Sequence, residues 1–398
     1  MRYANCSLWT RLFLIALTAC ITGGPSATAQ LPPARATVVG DLELVASLAG
    51  DQPAGVAISN SGRLFVSYPR HDGNVAFTVG EIKGGHAVAY PSVALNHATL
   101  ETAASTLFSV QTLQVDASDH LWMLDTGTLQ FGEPPVKGAA KLIEVDLASN
   151  RVLRTVLLPA EALVSNSALK DFRFDFHRGE GGIVFITDSA PGFEALIVLD
   201  LVSGKAMRRL SGSDMVSARG GRTPLIGFEP LLVWPSKAVK QGAPQPWLVG
   251  LNAVELTADS KTLYFSAFTG RRLYSVSVGD LSDPAVQNDK IISEVAHLGA
   301  IGMAGHFTLD AAGRLYYMDM EQNGIFRRTP DGRIQTVVVD PRLIWPDTMV
   351  IGTDEYLYVT TSQHDRRPEF HDGEELRQQP YGLFRVYVGS MPIRAIER

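Results

Sequence analysis

Cysteine is almost missing from this 398-residue chain: Cys6 and Cys20 are the only two, both within the first twenty residues. The rest of the chain therefore has no disulfide, no thiol nucleophile and no thiolate-bound zinc. Apolar runs are short. Leu12 to Ile21 is a stretch of ten, against the ~20 residues a membrane-spanning helix needs, and no other segment is long and apolar enough to span. Basic charge is not in excess: 35 Lys and Arg against 41 Asp and Glu give −6. That balance excludes the footprint of a nucleic-acid binder. Helical periodicity is nearly absent, apart from a short stretch around 160–170. What is present, 45% hydrophobic and 19% charged residues with 36 Gly and 22 Pro, is ordinary for a globular chain and excludes disorder, collagen and coiled coil. The length allows two or three domains, or one large all-β domain.

Residues 1–29 carry Arg2 and Arg11, no acid, the short apolar core and then small residues, the pattern of an export leader. Two cleavage points compete. Ala27-Thr28-Ala29 suits ordinary signal peptidase, whereas Leu17-Thr18-Ala19-Cys20 resembles a bacterial lipobox in which Cys20 would be lipidated. The expectation is a secreted or periplasmic protein, with a membrane-anchored lipoprotein as the second form. Residues 30–40 read as a linker. Without residues 1–29 the charge is 33 minus 41, or −8, which argues against tight adhesion to anionic lipid.

A weak repeat organises the chain beyond the linker. An alternating apolar stretch, a turn rich in Asp, Gly or Ser, and a Leu/Val-aromatic-apolar stretch recur at 56–68, 113–125, 172–188, 253–267, 307–319 and 348–361. Aligned on their last residues, the copies lie 57, 63, 79, 52 and 42 residues apart. Period-2 alternation on both arms with turn chemistry between makes each a hairpin. Further strand-like runs occur at 142–147, 195–201, 272–278 and 383–388. Six hairpins, each extended by outer strands, predict an all-β six-bladed β-propeller over 41–390, with 391–398 as a tail. Two tandem β-sandwiches are the alternative, and the repeat running through the chain counts against them.

In such a blade the first strand begins, and the second ends, on the face opposite the tight turn. The start column reads Ala54, Gln111, Lys170, Asn252, Gly305 and Asp347; the end column reads Tyr68, Asp125, Asp188, Ala267, Asp319 and Thr361. Both should meet at one mouth of the central channel, where a small-molecule ligand would bind. The candidate ligand-binding residues are Tyr68, Gln111, Asp125, Lys170, Asp188, Asn252, Phe268, His306, Asp319 and Asp347, with Trp345 as a further apolar wall. Strand-end Asp residues also anchor loop amides, so Asp125, Asp188 and Asp319 carry two readings. His177 and His306 border the hairpins, and a lone His is more often structural.

Other chemistries are missing. The sequence holds no G-x-S-x-G elbow, phosphate loop, dinucleotide fingerprint, H-E-x-x-H or EF-hand. Gly84-Gly85-His86 is a lone turn. The charged stretch from His364 to Tyr381 reads either as a solvated loop or as a lid over the mouth.

Several segments resemble the yellow/major royal jelly protein family, which has bacterial members. They are Gly62-Arg63-Leu64-Phe65-Val66-Ser67 with Pro69-Arg70, Leu121-Trp122-Met123-Leu124-Asp125-Thr126-Gly127, and Phe185-Ile186-Thr187-Asp188-Ser189 followed by 195–200. Leu251-Asn252-Ala253 through Leu263-Tyr264-Phe265-Ser266, Trp345-Pro346-Asp347 and Tyr381-Gly382-Leu383-Phe384-Arg385-Val386 complete the set, in the family's order over about 40–390. The resemblance implies a secreted six-bladed propeller, with dopachrome-converting enzymes and binders of biogenic amines among its insect members. Fold kinship confers neither activity. The related SMP-30/gluconolactonase-like propellers hold a divalent cation such as Ca²⁺ with a Glu, Asn residues and an Asp. Asn252 matches one position, but Ala54 and Gly305 stand where the acids belong. Three readings are open: a binder or isomerase-like enzyme for a polar or aromatic metabolite, needing no cofactor; a metal-dependent lactone hydrolase; and a binding module for a protein or envelope component. The first is expected, as a monomer.

Overall fold

The computed structural model describes residues 39–130, 132–218, 221–235 and 242–395. The leader, Cys20 and most of the 30–40 linker lie outside them. The described chain forms six four-stranded antiparallel sheets. Blade 1 is Val56–Ile58, Leu64–Ser67, Val79–Lys83 and His86–Ala89; blade 2 is Val110–Val115, His120–Asp125, Lys141–Asp146 and Arg151–Leu157. Blade 3 is Leu169–Asp175, Ile183–Asp188, Ala195–Asp200 and Ala206–Arg209; blade 4 is Leu251–Leu256, Thr262–Ala267, Arg272–Ser277 and Ala296–Ala300. Blade 5 is Phe307–Leu309, Leu315–Asp319, Gly324–Arg328 and Ile334–Val339.

Blade 6 combines both ends of the fold. Pro346–Ile351, Tyr356–Thr361 and Tyr381–Tyr387 are completed by Glu43–Leu48, which pairs antiparallel with Tyr381–Tyr387. This outer strand comes from the front of the domain, and such closure covers an otherwise open sheet edge. The first strand of every blade packs against the first strands of its two neighbours, round a closed ring. The architecture is a six-bladed β-propeller.

Alternation drives the packing. Strands bury one or both faces between blades, as where Trp122 of blade 2 meets Phe174 and Phe176 of blade 3 at 4.4 and 6.0 Å between centroids. Among the described residues the α-helices are three short ones, Val93–Asn96, Val278–Ser282 and Asn288–Ser293. The periodicity around 160–170 yields only a 3₁₀ turn, Ala160–Ala162.

The 79-residue interval in the repeat has a structural cause. Two small ribbons, Leu225–Ile226 with Glu229–Pro230 and Leu232–Val233 with Gln245–Pro246, are inserted between blades 3 and 4. The second meets the stretch after His364, where Trp234 donates its N–H to the Glu369 carbonyl at 2.8 Å.

Candidate functional site

The start column turns inward because the first strands are irregular at those positions. Blade register breaks between Val110 and Thr112, between Leu169 and Phe172, between Leu251 and Ala253, and between Pro346 and Met349. The residues inside these breaks include Gln111, Lys170, Asn252 and Asp347. A bulge leaves a residue unpaired and re-aims its side chain. In blades 1 and 5, Ala54 and Gly305 lie just before the first strand.

Freed carbonyls need donors, and neighbouring blades supply them. Ser67 donates to the Gln111 carbonyl at 2.9 Å, and Thr112 donates to that of Lys170. Thr187 donates to the Asn252 carbonyl at 2.9 Å, the Asn252 amide to Gly305 at 2.8 Å, and Thr348 to Ala54 at 2.9 Å. The start column is thus stitched round the channel by side chains of adjacent blades.

These positions surround one chamber of about 60 Å³, to which Gln111, Lys170, Asn252, Gly305, His306 and Asp347 all contribute. Its aromatic walls are Trp247, Phe268 and Trp345. Trp247 lies 5.5 Å from Phe268 and 5.4 Å from Trp345, both near edge-on. Trp345 holds φ at +52°, a left-handed conformation that bulky residues rarely adopt. Such strain concentrates at functional sites.

The chamber adjoins a vestibule of about 410 Å³ on the loops of blades 1 to 3, walled on one side by the inserted ribbon. His364 lines the chamber, and the segment behind it is pinned to blade 1: Arg367 and Arg377 both pair with Asp72, at 2.9 and 2.7 Å. His364 is buried in the site's wall, with Arg367 and Phe370 buried behind it, whereas residues 372–376 and 378–380 are exposed to solvent.

Titration in the chamber is set by burial. Lys170 and Asp347 keep some exposed surface, but they sit deep in the fold and that surface faces the chamber. Burial pushes the Asp347 carboxyl up to about 6, against the Ser362 hydroxyl and the Lys170 charge. Burial brings Lys170 down to about 8, with Asp347 and Asp188 opposing and Arg367 assisting. Burial also holds His71 and His364 well below the usual imidazole value, reinforced by Arg367 and Lys170. His306 falls to about 4 by burial, although Asp171 resists.

Below the chamber, Arg173 of blade 3 pairs with Asp171 at 2.7 Å and with Glu255 of blade 4 at 2.9 Å, and donates to the Phe307 carbonyl of blade 5. His306 stands against Arg173 at 3.4 Å. Beyond lies a second cavity of about 120 Å³ at the turn end of the channel, crossed by Pro392–Ala395. There Arg394 donates to the carbonyls of Val115 and Ile58 at 3.0 and 2.8 Å.

Six of the ten expected residues, Gln111, Lys170, Asn252, Phe268, His306 and Asp347, line the chamber together. The other four do not line it. Asp125 accepts backbone N–H bonds from Phe108, Ser109 and Gly127 and pairs with Lys141 at 2.7 Å, with both side chains fully buried. Asp188 accepts from Ala168, Ala190 and Ser167 and pairs with Arg208 at 2.8 Å. Asp319 accepts from Met303, Glu321 and Gln322. All three fasten the loop before their blade's first strand. Tyr68 packs edge-on against Phe77 with centroids 5.5 Å apart. Sequence reasoning missed His71, Asp171, Trp247 and Met320 in the lining. His71 and Met320 each lie close behind an end-column residue, and that proximity is a signal the repeat carries. Trp247 belongs to an insertion outside the repeat.

Neither candidate donor set fits a Ca²⁺ ion, which takes six to eight oxygens with several carboxylates. The chamber offers two carboxylates, and both face cations: Asp347 shares the space with the Lys170 ammonium, and Asp171 pairs with Arg173 at 2.7 Å. Among the described residues, Asp116, His120 and Glu144 bring three ligand atoms within 4.8 Å of one another at the turn end of blade 2. Those atoms are already engaged: Asp116 accepts from Ser118, His120 and Trp122, while Glu144 binds His120 and Arg154.

Comparison with known proteins places the chain in a family. L-dopachrome tautomerase yellow-f of Drosophila melanogaster is 30% identical over 124 residues, 29% of this chain and 28% of that protein. Protein yellow of Drosophila pseudoobscura pseudoobscura is 29% identical over 234 residues, 56% of this chain and 39% of that protein. The chain therefore matches well under half of these relatives' own lengths. Among solved structures, a luciferin-regenerating enzyme superposes with a TM-score of 0.53 at 13% identity, covering 90% of this chain and 99% of that one. A gluconolactonase from Xanthomonas campestris gives 0.50 at 14%, covering 89% and 93%. At such identities the likeness shows the fold. The family profile described as "Major royal jelly protein" matches residues 108–374, four of the six blades whole and the inner strands of the sixth, and the chain belongs to the major royal jelly protein family.

Proposed function

We propose that this propeller is an exported protein that binds a small planar acid in the chamber and moves a proton within it, in the manner of a tautomerase. One observation carries the reading: Lys170 and Asp347, from opposite sides of the ring, share a chamber with Trp247, Phe268 and Trp345. An ammonium among neutral imidazoles suits an anionic ligand, and the indole and phenyl faces suit a flat one. A tautomer shift needs a group that removes a proton at one atom and a group that returns it at another. Asp347, at about 6, is the base, and Lys170, at about 8, is the acid. The 30% identity to the L-dopachrome tautomerase supports this chemistry. The leader at residues 1–29, with Cys20 as the alternative anchor, supports export.

Dopachrome conversion by the purified chain is the direct test, with indole-2-carboxylate as a binding probe read by tryptophan fluorescence. Asp347→Asn should abolish turnover while the acid still binds, and Lys170→Met should weaken the acid at least tenfold. Equal turnover in wild type and Asp347→Asn would remove the base. The metal-dependent lactonase reading rests on the shared fold alone, and its donor set does not fit. Lactone hydrolysis abolished by EDTA and restored by Ca²⁺ would reverse that judgement. The third reading, a binding module for a protein or envelope component, would be favoured if no small acid bound.

A further inference from the structure

The chamber is too small for the ligand it is built to hold. About 60 Å³ accommodates a carboxylate and a ring edge, whereas sites that enclose a whole small molecule run to ~300–1,000 Å³. The vestibule, at about 410 Å³, falls inside that range. The two spaces are not separate pockets: His71, Gln111, Lys170, Trp247 and Val249 line both. A molecule whose acid end reaches Lys170 leaves the rest of its body in the vestibule.

We infer that the vestibule is a second subsite, and that the ligand is a planar acid carrying an apolar arm of aromatic or acyl type. The inference rests on the reading of the chamber given above. The vestibule is the more apolar of the two spaces, as such a ligand requires. Asp347, His306 and Asp171 belong to the inner space alone, and Lys170 lines both. The vestibule's apolar walls are Pro69, Pro191, Val233, Pro246 and Leu248, drawn from blade loops and the inserted ribbon, and its polar lining includes Glu133, Asn166 and Gln245. Arg70, a cation in this outer space, is stacked over the Phe108 ring at 4.4 Å. Trp247 stands at the junction, where its indole flanks both parts of the ligand. A compact acid would fill the inner space and leave these apolar walls facing water, which forgoes the gain from covering them.

The test compares indole-2-carboxylate with 5-benzyloxyindole-2-carboxylate, titrated into the full chain by calorimetry. Each buried methylene strengthens binding by about fourfold, so the benzyloxy acid should bind at least tenfold more tightly than its parent. In Leu248→Glu, which puts a charge on the vestibule wall, the ratio of the two affinities should fall below threefold. A melting curve of that variant checks that it is folded, and the wild-type pair needs no variant at all. If both acids bind wild type within twofold of each other, the vestibule is no subsite and the chamber reading stands. If the tenfold ratio survives in Leu248→Glu, the arm lies elsewhere and the inference is overturned. If neither acid binds, the chamber reading itself is wrong and the vestibule proposal goes with it.

Discussion

Thr187 of blade 3 donates its hydroxyl to the backbone carbonyl of Asn252 in blade 4 at 2.9 Å, and the same oxygen accepts the Asp171 N–H at 2.9 Å. A fully buried side chain on a second strand thus holds two first strands at the level where their register breaks. Thr112 does the same for the Lys170 carbonyl from blade 2. The chamber is shaped by these links as much as by the side chains that face it. Thr187→Val and Thr112→Val keep the volume and delete the hydroxyl, leaving buried backbone groups without partners. Each should lower unfolding free energy by about 1–3 kcal/mol, read from urea melts. Thr187→Val should be the more severe, because it loses a donor and an acceptor. A loss below ~0.5 kcal/mol in both would mean that the links are incidental to the fold.

Asp125 and Lys141 make the opposite case, a pair with chemical potential and no access. The ammonium donates to the Asp125 carboxylate at 2.7 Å and to the carbonyls of Ala103 and Ala139 at 2.7 and 2.8 Å, so all three protons are used. Lys141→Met strands a buried carboxylate, and Asp125→Ala strands a buried ammonium. Either should destabilise by about 3–5 kcal/mol. Affinity for indole-2-carboxylate, measured on the folded fraction below the shifted melting point, should change by less than threefold. A selective loss of affinity at wild-type stability would assign Asp125 to the site.

The contrast between these two clusters shows what the sequence could and could not reveal. Hairpin repeats state a period, and the period places Gln111, Lys170, Asn252 and Asp347 in one column, which is where they meet. It does not distinguish a carboxylate facing a chamber from one tied to loop amides, because both occupy strand ends. Asp125, Asp188 and Asp319 were ambiguous for that reason, and only their partners, Lys141, Arg208 and three loop segments, assign them. The outer strand Glu43–Leu48 carried no repeat signal, since it completes a blade whose other strands lie some 300 residues later. Trp247 was hidden differently. It arrives on an insertion whose two-residue ribbons are too short to show alternation.

The shifted groups fix the pH behaviour. Asp347 titrates near 6 in the fold against 3.8 ordinarily. The folded state therefore holds its proton more tightly, and this group's contribution to stability falls as pH rises from ~4 to ~6. Lys170 titrates near 8 against 10.5, so its contribution recovers as pH rises from ~8 to ~10. Turnover that needs ionised Asp347 and charged Lys170 should be bell-shaped, with limbs near 6 and 8. Asp347→Asn should narrow the stability loss between pH 4 and 7 relative to wild type, by thermal melts at both values. A flat rate profile from pH 5 to 9 would exclude this pair as the acid and base.

Gly305 is the start-column position with no side chain, and the space it leaves is already taken. A Cβ built there would lie 2.6 Å from Cε of Met320 and 2.8 Å from Cε2 of Phe268, inside any real van der Waals contact. Met320 ends in a flexible thioether and can swing away. Phe268 cannot yield as freely, because its ring stands 5.5 Å from Trp247 and 5.8 Å from Trp345 in a packed aromatic group. The added methyl in Gly305→Ala must therefore displace the phenyl ring, and the trio moves with it. Overpacking of this kind costs about 1–3 kcal/mol, visible in the melt. The more telling readout is tryptophan emission. Trp247 and Trp345 would change environment together, and affinity for indole-2-carboxylate should drop between threefold and thirtyfold with little effect from added Ca²⁺ or EDTA. Unchanged affinity alongside the expected loss of stability would show that the aromatic walls can shift without the ligand sensing it, and would move recognition from those walls to the polar column of Gln111, Lys170 and Asn252.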